Sequence, residues 1–329
     1  KFCLDKSYEY VWGMKKSGNK IRKNKIYIKN KKIFFLEDGF INSFGEKQKI
    51  PLSICYDKGG IFYDFHSNSD IKYDINTKLE ENENLRAQKL IYLWKKHNIS
   101  KYNYPNIIDP PKDPYILLID QTRGDLSIKY GGADTKTFKN MLDFAISKWP
   151  NYKIVIKIHP DVINSSKKGC FEKNVYSKKN IIIISEKGQI NQLIKFSKAV
   201  CVVTSQVGFE ALIYGKEVHV FGIPFYSGLG LTTDHNSYNF KKFDDIISLE
   251  QLVFGVLIKY HKYLDPRNNK LCDIEKIIEY LARKRKLSNL IPEDCHALNL
   301  TPWKTRQLNK YILEAGRDKV RFWTSFKSK

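Results

Sequence analysis

Apolar positions along this chain follow two periods, and the switches between them predict an alternation of strands and helices. Near the start, Tyr8-Glu-Tyr-Val-Trp12 reads as a short strand running into Gly13. Lys25-Ile-Tyr-Ile28 and Lys31-Lys-Ile-Phe-Phe-Leu36 read as two more, the second leading straight into Glu37-Asp38-Gly39-Phe40. The runs 51–57 and 60–64 flank Lys58-Gly59, which predicts a hairpin. A helix is expected over 80–97, with Leu85, Leu90, Leu93 and Trp94 as its apolar stripe. Four prolines between Tyr102 and Pro114 mark an interdomain linker.

Beyond the linker the pattern becomes regular. Tyr115-Ile-Leu-Leu-Ile119 is a continuous apolar run of the kind that forms a strand buried on both faces. A helix over 135–148 follows, then strands over 153–158 and 180–185, a helix over 189–198 and a strand over 200–203. A helix over 206–214 and a strand over 217–221 complete the series. Alternation at this spacing predicts a parallel, doubly wound sheet. After a Gly-rich loop, Pro224 to Asp234, two helical stretches are expected over 249–263 and 272–285. The tail from Ser288, with Pro302-Trp303-Lys304, matches no element. The organisation read from this is a first α/β domain (1–110), a second (111–248), and C-terminal helices and tail (249–329) that return to the first.

The chain of 329 residues is 42% hydrophobic, enough for two domains with real cores. No apolar run reaches the roughly 20 residues of a membrane span. The start has no signal-peptide pattern and residue 1 is Lys, which reads as a piece of a longer protein. The six cysteines form no CxxC and have no paired His, so neither a zinc site nor a disulfide framework is expected and the thiols read as reduced and cytosolic. A net charge of +22 favours anionic partners, lipid headgroups and acidic sugars among them. Nucleic acid is the rival partner, but no recognition-helix, zinc-finger or RNP-like motif accompanies the charge.

Candidate chemistry gathers at the ends of the expected strands. In an open α/β sheet, ligands bind beyond the carboxyl ends of the strands. The strand over 153–158 ends in His159-Pro160-Asp161 and carries Lys157; that over 200–203 ends in Thr204-Ser205, before Gly208 and Glu210 on a helix. A helix start with unpaired N–H groups suits a phosphate there. Asp120-Gln121-Thr122-Arg123-Gly124-Asp125-Leu126-Ser127 supplies two carboxylates, an amide, hydroxyls and a guanidinium in eight residues. A loop held by its own Asp and Ser side chains would also account for it. Glu37 and Asp38 stand as paired carboxylates at a strand end, equipment for sugar chemistry or a solvated acidic turn. Glu210 could hold a ribose or serve the helix dipole. His219, between two valines, reads as structural, and His66, His97, His235, His261 and His296 have no supporting neighbours. No GxGxxG or Walker pattern is present.

The ordered motifs Trp12-Gly13, Glu37-Asp-Gly-Phe40, Pro51-Leu-Ser53, Gly60-Ile-Phe-Tyr-Asp64 and Ile99-Ser-Lys-Tyr-Asn103, then 120–127, Lys157 to Asp161, Thr204-Ser205, Gly208 to Leu212 and Phe221 to Leu231, resemble the capsule polysaccharide β-Kdo transferases. The resemblance covers roughly Tyr8 to Asp234, and the last hundred residues match loosely. Leu229 stands where that family often has Trp, and Asn42 where it often has Arg. The resemblance implies a GT-B architecture of two Rossmann-like domains with the site in the cleft between them. It implies CMP-Kdo as donor, a lipid-linked Kdo acceptor (phosphatidylglycerol-based is one form), no metal and no cofactor. Family proteins usually carry two transferase modules; this chain has one set of motifs and reads as one. By resemblance His159, Pro160, Thr204 and Ser205 hold the CMP phosphate and Glu210 the ribose, with Gly39, Gln121, Arg123, Ser127, Lys157, Asp161 and Gly208 lining the donor site.

The expectation is a retaining transferase, cytoplasmic and peripheral on the inner membrane, working through a glycosyl-enzyme intermediate. Asp125 is expected as nucleophile, Glu37 as acid/base supported by Asp38, and Asp120 as a rival tied up in positioning its loop. The alternative is a non-catalytic lectin-like or nucleic-acid-binding module on a decayed GT-B fold, against which the intact motifs weigh.

Overall fold

The computed structural model describes residues 8–14, 32–45, 51–159, 162, 167–171, 175, 180–238 and 247–288. The strand expected over Lys25–Ile28, Pro160, Asp161 and the tail from residue 289 lie outside the described residues. Residues 1–284 form one compact unit and 285–329 a second, of which only 285–288 are described.

Two sheets carry the first unit. The first contains β1 (Tyr8–Trp12), β2 (Lys32–Asp38), β4 (Ser53–Asp57), β12 (His261–Asp265) and β13 (Lys270–Cys272), in that order across the sheet. β1 and β2 are parallel and the other pairs antiparallel. A small ribbon pairs β3 (Ser43–Phe44) with β5 (Tyr102–Asn103). Helices α1 (Asp70–Asn76) and α2 (Glu81–Lys96) pack in this half, where residues 249–260 join them.

The second sheet is fully parallel among its described strands, with the order β11-β10-β9-β6-β7-β8. Its strands are β6 (Tyr115–Ile119), β7 (Lys153–Lys157), β8 (Ile181–Ile184), β9 (Ala199–Val202), β10 (Glu217–Val220) and β11 (Thr233–Asp234). Between them run α3 (Leu126–Tyr130), α4 (Thr135–Lys148), α5 (Ile190–Phe196) and α6 (Val207–Ile213). All five residues of β6 are buried, as the unbroken apolar run requires. Ile116 and Leu118 join Phe138, Met141 and Ala145 of α4, whereas Tyr115, Leu117 and Ile119 join the main core with Trp94, Phe209 and Tyr226. The chain winds outward from β6 in both directions, so the order reverses between β6 and β9, and there a ligand crevice opens. The α/β GT-B architecture expected from the sequence is the one observed.

Several local expectations fail for identifiable reasons. Residues 60–64 form turns instead of the second arm of a hairpin. The fully buried Asp57 captures the turn: Oδ1 accepts from the N–H groups of Gly59, Gly60 and Asp70 at 2.9–3.0 Å. Its Oδ2 accepts from Tyr260 at 2.8 Å and from the Ser69 hydroxyl. The stretch 249–263 is helical only to Tyr260, as α7 (Leu249–Phe254) and a π-helical turn (Gly255–Tyr260). His261 onward is strand because β4 offers it a partner edge. The last described helix, α8, spans Ile274–Ser288. Leu85 is 58% exposed, and the buried stripe of α2 is Ala87, Leu90 and Trp94. The proline-rich stretch connects the two halves but is tied down along its length: Tyr102 and Asn103 pair with β3, and Asn106 O accepts from Gln189 N at 3.0 Å.

Replacing Asp57 by Ala leaves buried donors without an acceptor, and a loss of about 3–5 kcal/mol is expected. Urea unfolding followed by circular dichroism checks this, and a midpoint within error of the parent would contradict the role given to this carboxylate.

Candidate active site

The crevice at the sheet reversal is a cavity of about 530 Å³ walled by both halves of the unit. The second sheet contributes the loops after β6 (Asp120 to Ser127), β7 (Ile158, His159) and β9 (Thr204, Ser205), together with Lys157 and Glu210. From the first half come Glu37 and Asp38 at the end of β2, Tyr63, and the segment Ser100-Lys101-Tyr102. The two acidic motifs, far apart in sequence, thus share one space.

The loop after β6 is held rigidly. Asp120 is fully buried, and its Oδ1 accepts from Gln121 N and Cys170 N at 2.9 Å each. Burial pushes its pKa up to about 6, against the pull of the Cys170, Gln121 and Phe171 N–H groups and of Arg123. This carboxylate straps the loop to residues 169–171. Gln121 bridges to the next strand end: its Oε1 accepts from Thr204 N and its Nε2 donates to Thr204 Oγ1, both at 3.0 Å. Ser127 lies 3.3 Å from the same Nε2. Asp125 is exposed at the cavity wall and caps α3 through Oδ1, which accepts from Ser127 N at 2.9 Å. One oxygen thereby fixes its orientation.

Cations face these groups. Lys157 is 5% exposed, its Nζ donating to Ile158 O at 2.8 Å, and burial, opposed by Glu186, lowers its pKa to about 8. His159 Nδ1 lies 3.4 Å from Thr122 Oγ1. Arg123 and Lys167 also line the cavity. Ser205 Oγ accepts from Val207 N at 3.2 Å.

Glu210 departs from a simple ribose-holding reading. It is 1% exposed, and Oε1 accepts from Lys101 N and Gln206 Nε2 at 3.3 Å each, strapping the Ser100-Lys101-Tyr102 segment to α6. Oε2 is buried without a hydrogen-bond partner, and the residue lines the cavity. Burial raises its pKa to about 7, against hydrogen bonding from Ser100 and Lys101. Opposite, Glu37 Oε1 accepts from Asp38 N at 3.1 Å, and Oε2 accepts from Tyr63 Oη at 3.3 Å. The same Tyr63 oxygen accepts from Met14 N at 2.9 Å.

Two predicted site residues stand outside the cavity wall. A side chain at Gly39 would strike Ser53, and one at Gly208 would strike Tyr226, so both glycines serve close packing behind the site. Pro160 and Asp161 lie outside the described residues. Ser100, Lys101, Tyr63 and Tyr102 line the cavity without a role assigned from the sequence, though the motifs Ile99 to Asn103 and Gly60 to Asp64 contain them. His235, read as isolated, bonds His219 at 2.8 Å and stacks on Phe221, away from the cavity. Among the described residues no cluster of His, Cys, Asp and Glu could hold a metal ion.

Comparison with known proteins agrees with this layout. A family profile described as "Capsule polysaccharide biosynthesis protein" matches residues 10–111 and 72–263. A solved structure titled "Thermosulfurimonas dismutans KpsC, beta Kdo 2,4 transferase" is 32% identical, with a TM-score of 0.74 over 83% of this chain and 86% of that one. Another from the same organism, titled as a beta Kdo 2,7 transferase, is 30% identical with a TM-score of 0.66, covering 84% of each chain. The capsule polysaccharide modification protein LipA of Neisseria meningitidis serogroup A is 31% identical over 315 residues, 89% of this chain. The alignment spans only 44% of that relative.

Because the raised pKa of Glu210 keeps a proton on the native protein that the unfolded chain has lost, its contribution to stability falls as pH rises from 4.5 to about 7. Glu210→Gln should flatten that fall by up to about 3 kcal/mol, leaving the part due to Asp120. Urea unfolding across this pH range reads the slope directly, and an unchanged slope would contradict the assignment.

Proposed function

This chain belongs to the capsule polysaccharide biosynthesis protein family, and from that premise we propose that it is a glycosyltransferase module moving Kdo from CMP-Kdo to a lipid-linked, Kdo-bearing acceptor with retention of configuration. The observation that carries the reading is the single cavity at the sheet reversal, where the strand-end loops of the second sheet face Glu37 and Asp38 of the first. A nucleotide phosphate finds His159, Thr204, Ser205 and Lys157 on one wall. The unpartnered Glu210 Oε2 accepts a ribose hydroxyl. As the glycosidic bond breaks, negative charge builds on the departing phosphate, where fixed donors act most strongly.

In the first displacement an Asp125 carboxylate oxygen attacks the anomeric carbon, and CMP leaves with the bonding electron pair. In the second, Glu37 takes the proton of the acceptor hydroxyl, whose oxygen attacks the same carbon and expels Asp125. Two inversions give net retention. Asp125 suits the role better than Asp120: it stands exposed at the cavity wall with one oxygen pinned, while Asp120 is buried and committed to residues 169–171. Asp38 supports Glu37 through its N–H. The parent protein, which carries a second transferase module, works at the cytoplasmic face of the inner membrane. No described helix is long and apolar enough to cross a membrane, so the net charge of +22 supplies the attraction to anionic lipid.

Asp125→Asn should abolish transfer while leaving CMP affinity within about twofold, since it removes an interaction made at the reacting carbon alone. Intact-mass spectrometry of Glu37→Gln incubated with CMP-Kdo should reveal one added Kdo on a peptide containing Asp125. An adduct on Asp38 or Asp120 moves the nucleophile, and no adduct in Glu37→Gln argues against two displacements. Cosedimentation with phosphatidylglycerol vesicles should fall steeply between low and high salt, whereas salt-independent binding would place the membrane contact outside the charged surface.

A further inference from the structure

The half of the cavity that would receive the sugar is lined by carboxylates, yet a 2-ulosonic acid such as Kdo brings a carboxylate of its own on the reacting carbon. Glu37, Asp38 and Asp125 would repel it unless a cation stood among them. Lys101 stands there. It lines the cavity from the first half of the unit, where Asp38, Glu37 and Asp125 act on its charge and Glu210 is a further carboxylate within its reach. No carboxylate of the described residues pairs with its ammonium. Burial draws its pKa down, but Tyr102 and the three carboxylates together hold it above the ordinary lysine value, so it is charged at neutral pH.

The backbone that presents this ammonium is bound on every side. Ile99 O accepts from Asn191 Nδ2 at 2.8 Å, and Asn103 holds both Ser100 N (3.0 Å) and Ser100 O (2.7 Å). Lys101 N donates to Glu210 Oε1 at 3.3 Å, and Lys101 O accepts from Asn42 N at 2.8 Å and Ser43 N at 3.3 Å. A surface lysine needs no such frame. Six hydrogen bonds to one three-residue segment fix where the side chain enters, which is the expense a binding residue incurs before its ligand arrives.

We propose that Lys101 is the residue that recognises the carboxylate of the donor sugar, and so selects an acidic ketose over a neutral one. Arg123, Lys157, Lys167 and His159 come from the strand end and loops of the second sheet and serve the nucleotide; among the described residues, Lys101 alone of the cavity-lining cations comes from the side of Glu37 and Asp38. Pairing the sugar carboxylate with Lys101 holds the ring in one orientation and screens the approach of Asp125. The assignment rests on the Kdo-transfer reading above.

The test is steady-state kinetics of the full chain with CMP-Kdo, using CMP as a competitive inhibitor. Lys101→Met, close in volume, should raise KM for CMP-Kdo at least tenfold and lower kcat, while Ki for CMP stays within about twofold, because CMP has no sugar carboxylate. Lys101→Arg, which keeps the charge, should recover most of the loss. A merely structural role would raise Ki for CMP in parallel with KM, or lower the melting temperature with both kinetic constants, and either outcome overturns the proposal. So does an unchanged KM. If the parent protein binds CMP but neither binds nor turns over CMP-Kdo, the function reading itself fails and this assignment falls with it.

Discussion

The site exists because two halves of one unit are locked together by an aromatic joint centred on Phe40. This residue follows the strand that ends in Glu37 and Asp38, and its buried ring lies 5.0 Å from Phe62 and Phe225, 6.0 Å from Phe209 and 4.4 Å from His261. Phe209 and Phe225 belong to the second half, so the joint crosses the cleft. Gln206 Nε2 adds a hydrogen bond to Phe40 O at 2.9 Å. Aromatic pairs contribute about 0.5–1.5 kcal/mol each beyond the area they bury, and several sharing one ring leave little freedom to slide. The acidic strand end therefore faces the switch point at a fixed separation.

Around that joint, polar groups are used twice. Glu210 turns one oxygen to the backbone of Lys101 and keeps the other buried without a partner. Gln121 ties the loop after β6 to Thr204. Asp120 strands itself in a buried bond set at the cost of a raised pKa. Such arrangements exchange stability for a fixed geometry, and they concentrate where chemistry needs atoms held in advance.

Much of this was legible in the sequence because it is local. Buried parallel strands write continuous apolar runs, so β6, β7 and β9 and the loops that leave them could be placed from Tyr115 to Ile119, Lys153 to Ile158 and Val200 to Val203. What escaped is non-local. Residues 261–263 continue a helical pattern and become strand only because β4 waits for them. The turn after Asp57 depends on a hydroxyl 203 residues away. Lys101 looks like one more lysine in a chain with 57 basic residues; its meaning comes from Glu210 and Asn42, which spacing does not reveal. Gly39 and Gly208 were drawn to the site by their motifs, though each is there to let a neighbour close in.

The pairing of β4 with β12 also governs how the molecule can be made and cut. A ribosome releases residues 53–57 long before it reaches 261–272, so through most of synthesis the first sheet has an open edge and a buried aspartate without its tyrosine. Its contact order is high for reasons of chain path alone, which slows assembly and exposes the nascent half to mispairing. Any fragment ended at the close of the second sheet, near residue 238, would carry every strand-end loop of the cavity and still lack the edge strands of the sheet that holds Glu37 and Asp38. The natural unit of expression therefore reaches at least through residue 272, whatever boundary the helices and loops suggest.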